Sequence, residues 1–276
     1  MDFLWVLFAL IYRFFYKMNR FVFLRPQKPL QKSKLIIIGS YLMGGAGKTP
    51  FTLYLAKSFL KENFTVAILC HSKAMDEYEW LQQEALDAKV FSTKNRFRLA
   101  KKIDGLFDII IADDGFEDFR LSAHHKIALQ WGEFAHDIID LFPSGYCRSL
   151  KKDHPDVTMT LYCGNSFIDP DLVFSISEIK NEQGDSLNKS STAMCGIGNP
   201  DRFFSDLQDF GITIEKKIIR PDHDRKFELM LKKELLLGKP IVITEKDCCR
   251  LTLETRKTPL VFVAKQKLSV LHDFKL

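Results

Sequence analysis

The sharpest change of patterning along the chain falls near residue 40. Leu35-Ile36-Ile37-Ile38-Gly39 carries no charge, and beyond Gly44-Gly45-Ala46-Gly47-Lys48-Thr49-Pro50 the apolar residues Phe51, Leu55 and Phe59 recur at four-residue spacing. A short apolar run closed by glycine predicts a buried strand, and the recurrence predicts a helix, with a glycine-rich turn between them. Pro50 agrees, because proline costs no hydrogen bond in a first helical turn. The alternation continues with strands expected at 65–69, 107–112 and 127–131 and a basic, solvated helix at 94–103. Further on, strands at 172–180 and 191–195 flank Asn181-Glu182-Gln183-Gly184-Asp185, which predicts a hairpin and a domain hinge. A helix over 201–210, a strand over 212–219, another helix and a buried strand at 241–243 make the C-terminal part α/β as well.

The fold class expected is therefore α/β of the P-loop NTPase type, a mostly parallel sheet flanked by helices, with a second, smaller α/β domain. Three regions follow: an N-terminal segment at 1–30, a P-loop domain at 31–170 and a C-terminal domain at 171–276 that begins with the hairpin linker. The N-terminal segment has its own pattern. Phe3 to Tyr12 is an unbroken apolar run of ten residues, half of the roughly 20 that a membrane-spanning helix needs. Asp2 stands where a secretory signal carries positive charge. Arg13, Lys17 and Arg20 fall on one side of a helix whose other positions include Phe14, Phe15, Met18, Phe21 and Val22, which suits a membrane interface. A helix packed on its own domain is the other reading.

Composition sharpens this in two places. The net charge is +5, but residues 1–34 hold seven Lys and Arg against Asp2 alone. The remainder is nearly neutral, so a general nucleic-acid surface is not expected, nor is an obligate protein partner. Six cysteines, two of them adjacent at 248 and 249, form no C-x-x-C pair and read as reduced thiols of a cytosolic compartment.

Candidate chemistry gathers where strands end. Glycines let backbone N–H groups close round an oxyanion at a helix N-terminus, so Gly44, Gly45, Ala46, Gly47, Lys48 and Thr49 are the expected nucleoside triphosphate site, with Thr49 toward Mg²⁺. Leu42 departs from the strict motif, whose first glycine would fall there, and an ordinary glycine-rich turn is the alternative. Asp113 and Asp114 follow the apolar strand that ends at Ala112, where a P-loop protein keeps the carboxylates that hold Mg²⁺. Asp76-Glu77 lies beyond the strand at 65–69 and faces the ligand side of such a sheet. Asp76 with Glu79 equally reads as a helix capping box, and residue pattern alone leaves the two open. Arg148 is a candidate phosphate clamp.

The ordered motifs GGAGKTP (44–50), DDGF (113–116), FPSGYCR (142–148), GIGNPDRFF (196–204), PDHD (221–224) and TEKD (244–247) resemble the tetraacyldisaccharide 4′-kinase family over almost the whole chain. That resemblance implies ATP- and Mg²⁺-dependent phosphorylation of the 4′-hydroxyl of a tetraacyldisaccharide 1-phosphate, a lipid A precursor. It implies a peripheral enzyme at the cytoplasmic face of the bacterial inner membrane, with two domains joined by a two-stranded linker. It also implies Asp76 as catalytic base, His223 as its assistant, Lys48 on the phosphates, and Glu77 and Arg148 near the substrate. The chain departs from the family at Glu117-Asp118 in place of Gln-His, at a shortened Cys70-His71-Ser72-Lys73 loop, at Asp224, and at Tyr146-Cys147-Arg148-Ser149 in place of Pro-Leu-Arg-Glu. These mark a divergent member. Two other classes compete: a soluble P-loop kinase of a small metabolite, and a non-catalytic nucleotide-dependent switch, although Thr244-Glu245-Lys246-Asp247 has the wrong order for a guanine-reading Asn-Lys-x-Asp.

Overall fold

The computed structural model describes residues 3–23, 28–85, 87–132, 135–164, 167–187, 190–222, 224–274 and 276. The chain divides into two compact units, residues 1–173 with 270–276, and residues 174–269. The expected division near 170 lies close to the first crossing, but 270–276 group with the first unit and not with the second.

In the first unit, six strands form one parallel sheet in the order β3-β2-β4-β1-β5-β6. They are β1 (Lys34–Gly39), β2 (Val66–His71), β3 (Lys89–Thr93), β4 (Ile109–Ala112), β5 (His125–Gln130) and β6 (Met159–Tyr162). Leu35 to Ile38 are all buried without alternation, as a strand covered on both faces requires. Helices α2 (Lys48–Lys61), α3 (Met75–Glu84) and α4 (Arg96–Lys102) follow β1, β2 and β3. Helix α2 buries Phe51, Leu55 and Ala56. Strand β1 lies between β4 and β5, with Ile37 opposite Ala112. That register brings the carboxyl ends of β1 and β4 side by side, and ligands of open α/β sheets bind beyond such ends.

The N-terminal helix α1 (Phe3–Phe23) packs on this unit through a single stripe. Ala9 is fully buried, Tyr12 and Tyr16 are half-buried, Arg13 reaches Asp153 at 3.3 Å, and the Arg20 guanidinium sits 5.5 Å from the centre of the Phe119 ring. Spacings of three and four residues put these side chains on one face. The other positions expose Phe8, Ile11, Phe14, Phe15 and Met18, and Trp5 is exposed where the stripe runs out toward the N-terminus. The helix is thus both docked and apolar outward. Two of the three cations expected to face lipid turn inward instead, because Asp153 and the Phe119 ring offer them partners; Lys17 remains exposed.

The second unit holds a five-stranded sheet in the order β7-β11-β10-β8-β9. Its strands are β7 (Leu172–Lys180), β8 (Ser190–Cys195), β9 (Thr213–Ile219), β10 (Ile241–Thr244) and β11 (Val261–Val270). Helices α5 (Pro200–Asp209), α6 (Phe227–Leu235), α7 (Glu245–Cys249) and α8 (Leu253–Arg256) connect them. The two strands expected as arms of a hairpin, β7 and β8, do not pair; only a short antiparallel bridge of Lys180 with Ser186 closes the turn between them. Residues 181–185 do turn, held by the Asn181 side chain on the N–H groups of Gln183 and Asp185. However, β10 and β11 lie between β7 and β8 in the sheet. Ser191–Cys195 is buried throughout and takes a neighbour on each side, while β7 alternates between buried and exposed residues, the pattern of an edge strand. The chain passes between the units within β7 and again within β11. All six cysteines are free thiols.

Candidate active site

The turn after β1 closes at Gly47, which stands at the N-cap of α2 with φ 74°, a left-handed conformation that glycine adopts without steric cost. No side chain caps the helix there, so its first N–H groups are available to an oxyanion. At the start of the turn, Leu42 forms an antiparallel bridge with Cys147 and is absent from the positive-φ residues. An extended residue needs no glycine, which explains the departure from the strict motif. Trp131 just beyond β5 donates from Nε1 to the Ala46 carbonyl (3.0 Å) and ties the turn to the sheet.

The two aspartates after β4 face different partners. Asp113 is buried and accepts from Thr49 Oγ1 (3.0 Å, to Oδ2) and from Thr52 Oγ1 (2.8 Å, to Oδ1). Burial, with the negative charge of Glu77 next, pushes its carboxyl above the ordinary range, against the Thr52 hydrogen bond and Lys48. Asp114, at φ 49°, turns the other way. Lys48 Nζ lies 3.3 Å from its Oδ1, and Arg148 Nη1 lies 3.2 and 3.3 Å from its two oxygens. Burial opposes its ionisation, but Lys48, Arg148 and Arg96 outweigh burial and hold its carboxyl well below the usual carboxylate range. Arg148 is fixed further by donation from Nε to the Leu42 carbonyl (3.0 Å) and from its backbone N–H to the Tyr41 carbonyl (2.7 Å).

Lys48, Thr49, Asp113, Asp114 and Arg148 therefore form one contact cluster around the turn of Gly44, Gly45, Ala46 and Gly47. Asp76 is buried in the first turn of α3 and Glu77 beside it is half-buried. The capping-box reading of Asp76 is corrected: α3 begins at Met75, so Ala74 holds the cap position and Asp76 lies inside the helix. His223 lies outside the described residues. Three contributors were not foreseen. Thr52 follows Thr49 by three residues on the buried face of α2, and a polar residue at core spacing was the available signal. Trp131 carried none. Arg96 sat in a stretch read as a solvated helix, yet it is buried and its Nη2 donates to the Asp113 carbonyl (2.7 Å).

Hard oxygen donors at Thr49 and Asp113 suit Mg²⁺, which takes few protein ligands and completes its shell with phosphate and water. No group of three or more His, Cys, Asp or Glu that could hold a metal ion occurs among the described residues. A cavity of about 320 Å³ is lined by Asn19 of α1 together with His71, Lys94, Arg96, Glu117 and Arg120, among others. Arg120 is paired there with Asp118 at 2.7 and 2.9 Å.

The family model described as LpxK, tetraacyldisaccharide-1-P 4′-kinase, matches residues 1–78 and 71–275. The chain is 26% identical over 245 residues to the tetraacyldisaccharide 4′-kinase of Shewanella pealeana, covering 78% of this chain and 74% of that one. It is 27% identical over 266 residues to the enzyme of the same name from Chlamydia caviae, covering 79% and 72%. Among solved structures, the "apo" form of LpxK from Aquifex aeolicus in complex with ATP matches with a TM-score of 0.68 at 20% identity, over 95% of this chain and 93% of that one, a likeness of fold.

Proposed function

Because the chain belongs to the tetraacyldisaccharide-1-P 4′-kinase family, we propose that it transfers the γ-phosphate of ATP to the 4′-hydroxyl of a tetraacyldisaccharide 1-phosphate, a step of lipid A biosynthesis. The observation that carries this reading is the cluster at the end of β1 and β4. There Lys48 and Arg148 share the single carboxylate of Asp114 beside a helix N-terminus that no side chain caps. Two cations so placed can exchange a carboxylate for phosphate oxygens. Phosphoryl transfer asks chiefly for positioning and charge neutralisation, and these groups supply both.

Gly44 to Thr49 hold the nucleotide phosphates. Thr49 and Asp113 hold Mg²⁺, which when bound neutralises charge on the phosphates; Asp114, the second expected metal ligand, keeps Lys48 and Arg148 facing the site. Asp76 accepts the proton of the attacking 4′-hydroxyl as the new P–O bond forms and the bond to the β-phosphate oxygen breaks, releasing ADP. His223 assists it. The cavity bearing Lys94, Arg96 and Arg120 receives the phosphorylated sugar headgroup, with Glu77 near the acceptor. The exposed face of α1 lies in the lipid interface of the cytoplasmic leaflet, and no described helix is long and apolar enough to cross a membrane.

Purified protein with radiolabelled ATP, Mg²⁺ and detergent-dispersed disaccharide precursor tests the activity. A labelled product phosphorylated at the 4′-position is expected, and its absence from folded, ATP-binding protein would overturn the reading. Cosedimentation with anionic vesicles tests the interface: loss of residues 1–24 should leave the protein in the supernatant.

A further inference from the structure

We propose that α1 belongs to the catalytic framework as well as to the lipid interface, with Tyr12 and Tyr16 acting as positioning residues that set where the Arg148 guanidinium stands. The inference rests on the phosphotransferase reading and adds residues that reach the reaction only through Arg148.

Residues 145–150 form no strand or helix, and the pairing next to Arg148 is limited to isolated bridges of Cys147 with Leu42 and Leu141. Its backbone is clamped from two sides: its N–H donates to the Tyr41 carbonyl (2.7 Å), and its carbonyl accepts from the Tyr12 hydroxyl (2.8 Å). The second clamp comes from α1, 136 residues earlier in the chain. The next residue, Ser149, is also tied to α1, through a polar network with a fixed direction. Lys126 Nζ lies 2.9 Å from Asp156 Oδ2 and 3.2 Å from His154 Nδ1. An ammonium has only hydrogens to give, so Nδ1 accepts and the neutral ring carries its proton on Nε2. Burial, then Lys126, keeps that ring neutral, with its pKa down at about 3. Nε2 therefore donates toward Ser149 Oγ (2.9 Å) or the Tyr16 hydroxyl (3.0 Å). Both hydroxyls pass their own hydrogens to the Glu117 carboxylate, Ser149 at 3.4 Å and Tyr16 by a side-chain hydrogen bond. Burial and the Glu117 charge push the Tyr16 phenol up, so it stays a donor.

Glu117 directly follows Phe116 of the loop that carries Asp113 and Asp114; burial raises its carboxyl, against the Arg148 charge and the Tyr16 hydrogen bond. The donations that begin at Lys126 thus converge on Glu117, and α1 supplies two of the hydroxyls, Tyr12 on the Arg148 carbonyl and Tyr16 in the network around Ser149. Any shift of α1 on the unit moves Tyr12 and Tyr16 together, because both lie on its docked stripe.

Steady-state transfer by Tyr12→Phe and Tyr16→Phe enzymes to detergent-dispersed substrate tests this, alongside thermal melts and vesicle cosedimentation. Each variant should lose about five- to tenfold in kcat, the worth of one neutral hydrogen bond, with cosedimentation unchanged. The deciding readout repeats Tyr12→Phe in an Arg148→Lys background under enzyme excess: there the second change should have no further effect on rate. A merely structural tyrosine would lower the melt and leave kcat per folded molecule alone in both backgrounds. Wild-type kcat in both phenylalanine variants, or an equal loss in both backgrounds, would overturn the inference. If the wild-type chain phosphorylates no disaccharide, the phosphotransferase reading falls and this inference with it.

Discussion

Replacing Gly39 by alanine tests how the loop after β4 is seated. A Cβ built at Gly39 would stand 1.9 Å from Phe116 Cδ1 and 2.2 Å from its Cγ. Carbon atoms make contact at about 3.5 Å, so the ring would have to withdraw by roughly 1.6 Å. It has nowhere to go. Phe116 is fully buried, its ring centre lies 5.8 Å from Tyr41 and 5.0 Å from His154, and Lys126 Nζ sits 4.8 Å away. Overpacking of this kind costs about 1–3 kcal/mol and occasionally more, and with a rigid ring as the obstacle the upper end, ~3 kcal/mol, is expected. For a unit of this size that corresponds to a fall of about 6–12 °C in Tm. Phosphate transfer should fall as well, because Phe116 is two residues from Asp114. The assay is a thermal melt of Gly39→Ala and of Gly39→Ala with Phe116→Leu, each referred to its own glycine parent. In the leucine background the alanine should cost less by on the order of 1–3 kcal/mol, the coupling expected of residues in contact. A melt within about 2 °C of wild type, or the same cost in both backgrounds, would refute the reasoning.

Lys48→Ala should reduce transfer by on the order of 10²–10³ while the melt stays near wild type, because Arg148 still pairs with Asp114; single-turnover kinetics and a melt check both halves. Asp76→Ala should lower kcat by about 10²–10⁴ and remove one limb of the pH–rate profile. Since Ala74 and not Asp76 holds the cap position, the change should cost no capping energy, and an unaltered pH–rate profile would return Asp76 to a structural role. Asp113 predicts a pH effect. Burial and Glu77 raise its carboxyl, so the folded state binds this proton more tightly than the unfolded chain. The stability it adds is fully present below the ordinary carboxylate value of about 4 and is lost as pH rises through the raised folded value. Asp113→Asn should therefore flatten that decline in melts taken without ligand, and should lose the stabilisation that Mg²⁺ and ATP give the wild type.

The fold was readable wherever burial on both faces left its mark on consecutive residues. Leu35–Ile38, Ile109–Ala112 and Ile241–Ile243 needed no partner to be recognised as strands, and the glycines and Lys48-Thr49 after the first of them located the phosphate site. What escaped depended on partners far along the chain. Arg13 and Arg20 lie on a stripe with Lys17 by helical spacing alone, and only Asp153 and Phe119, far along the chain, turn two of the three inward. The strands around 181–185 have the signature of a hairpin, yet the burial of Ser191–Cys195 on both faces selects parallel neighbours, a competition among strands that no local window contains. Arg96 looked like one cation in a basic run. Its role comes from the bare carbonyl at the end of β4, which has to be hydrogen-bonded once buried.

The order Asp-Asp-Gly-Phe after β4 follows from what four consecutive residues must do there. Asp113 still belongs to the sheet, its N–H donating to the Leu69 carbonyl (3.1 Å), so its side chain continues the strand's alternation toward Thr49 and Thr52 of α2. A second carboxylate in the same extended conformation would point away from the phosphate turn. Asp114 instead adopts φ 49°, a conformation that aspartate tolerates better than most residues, and this brings its carboxylate to Lys48 and Arg148. Gly115 then returns the backbone to β1, its N–H on the Ile38 carbonyl at 3.1 Å, and Phe116 drops onto Gly39, where any side chain would collide with it. The buried ring anchors the reversal that aims Asp114. Asp114 consequently keeps its place between Lys48 and Arg148 through one aromatic residue seated against one glycine.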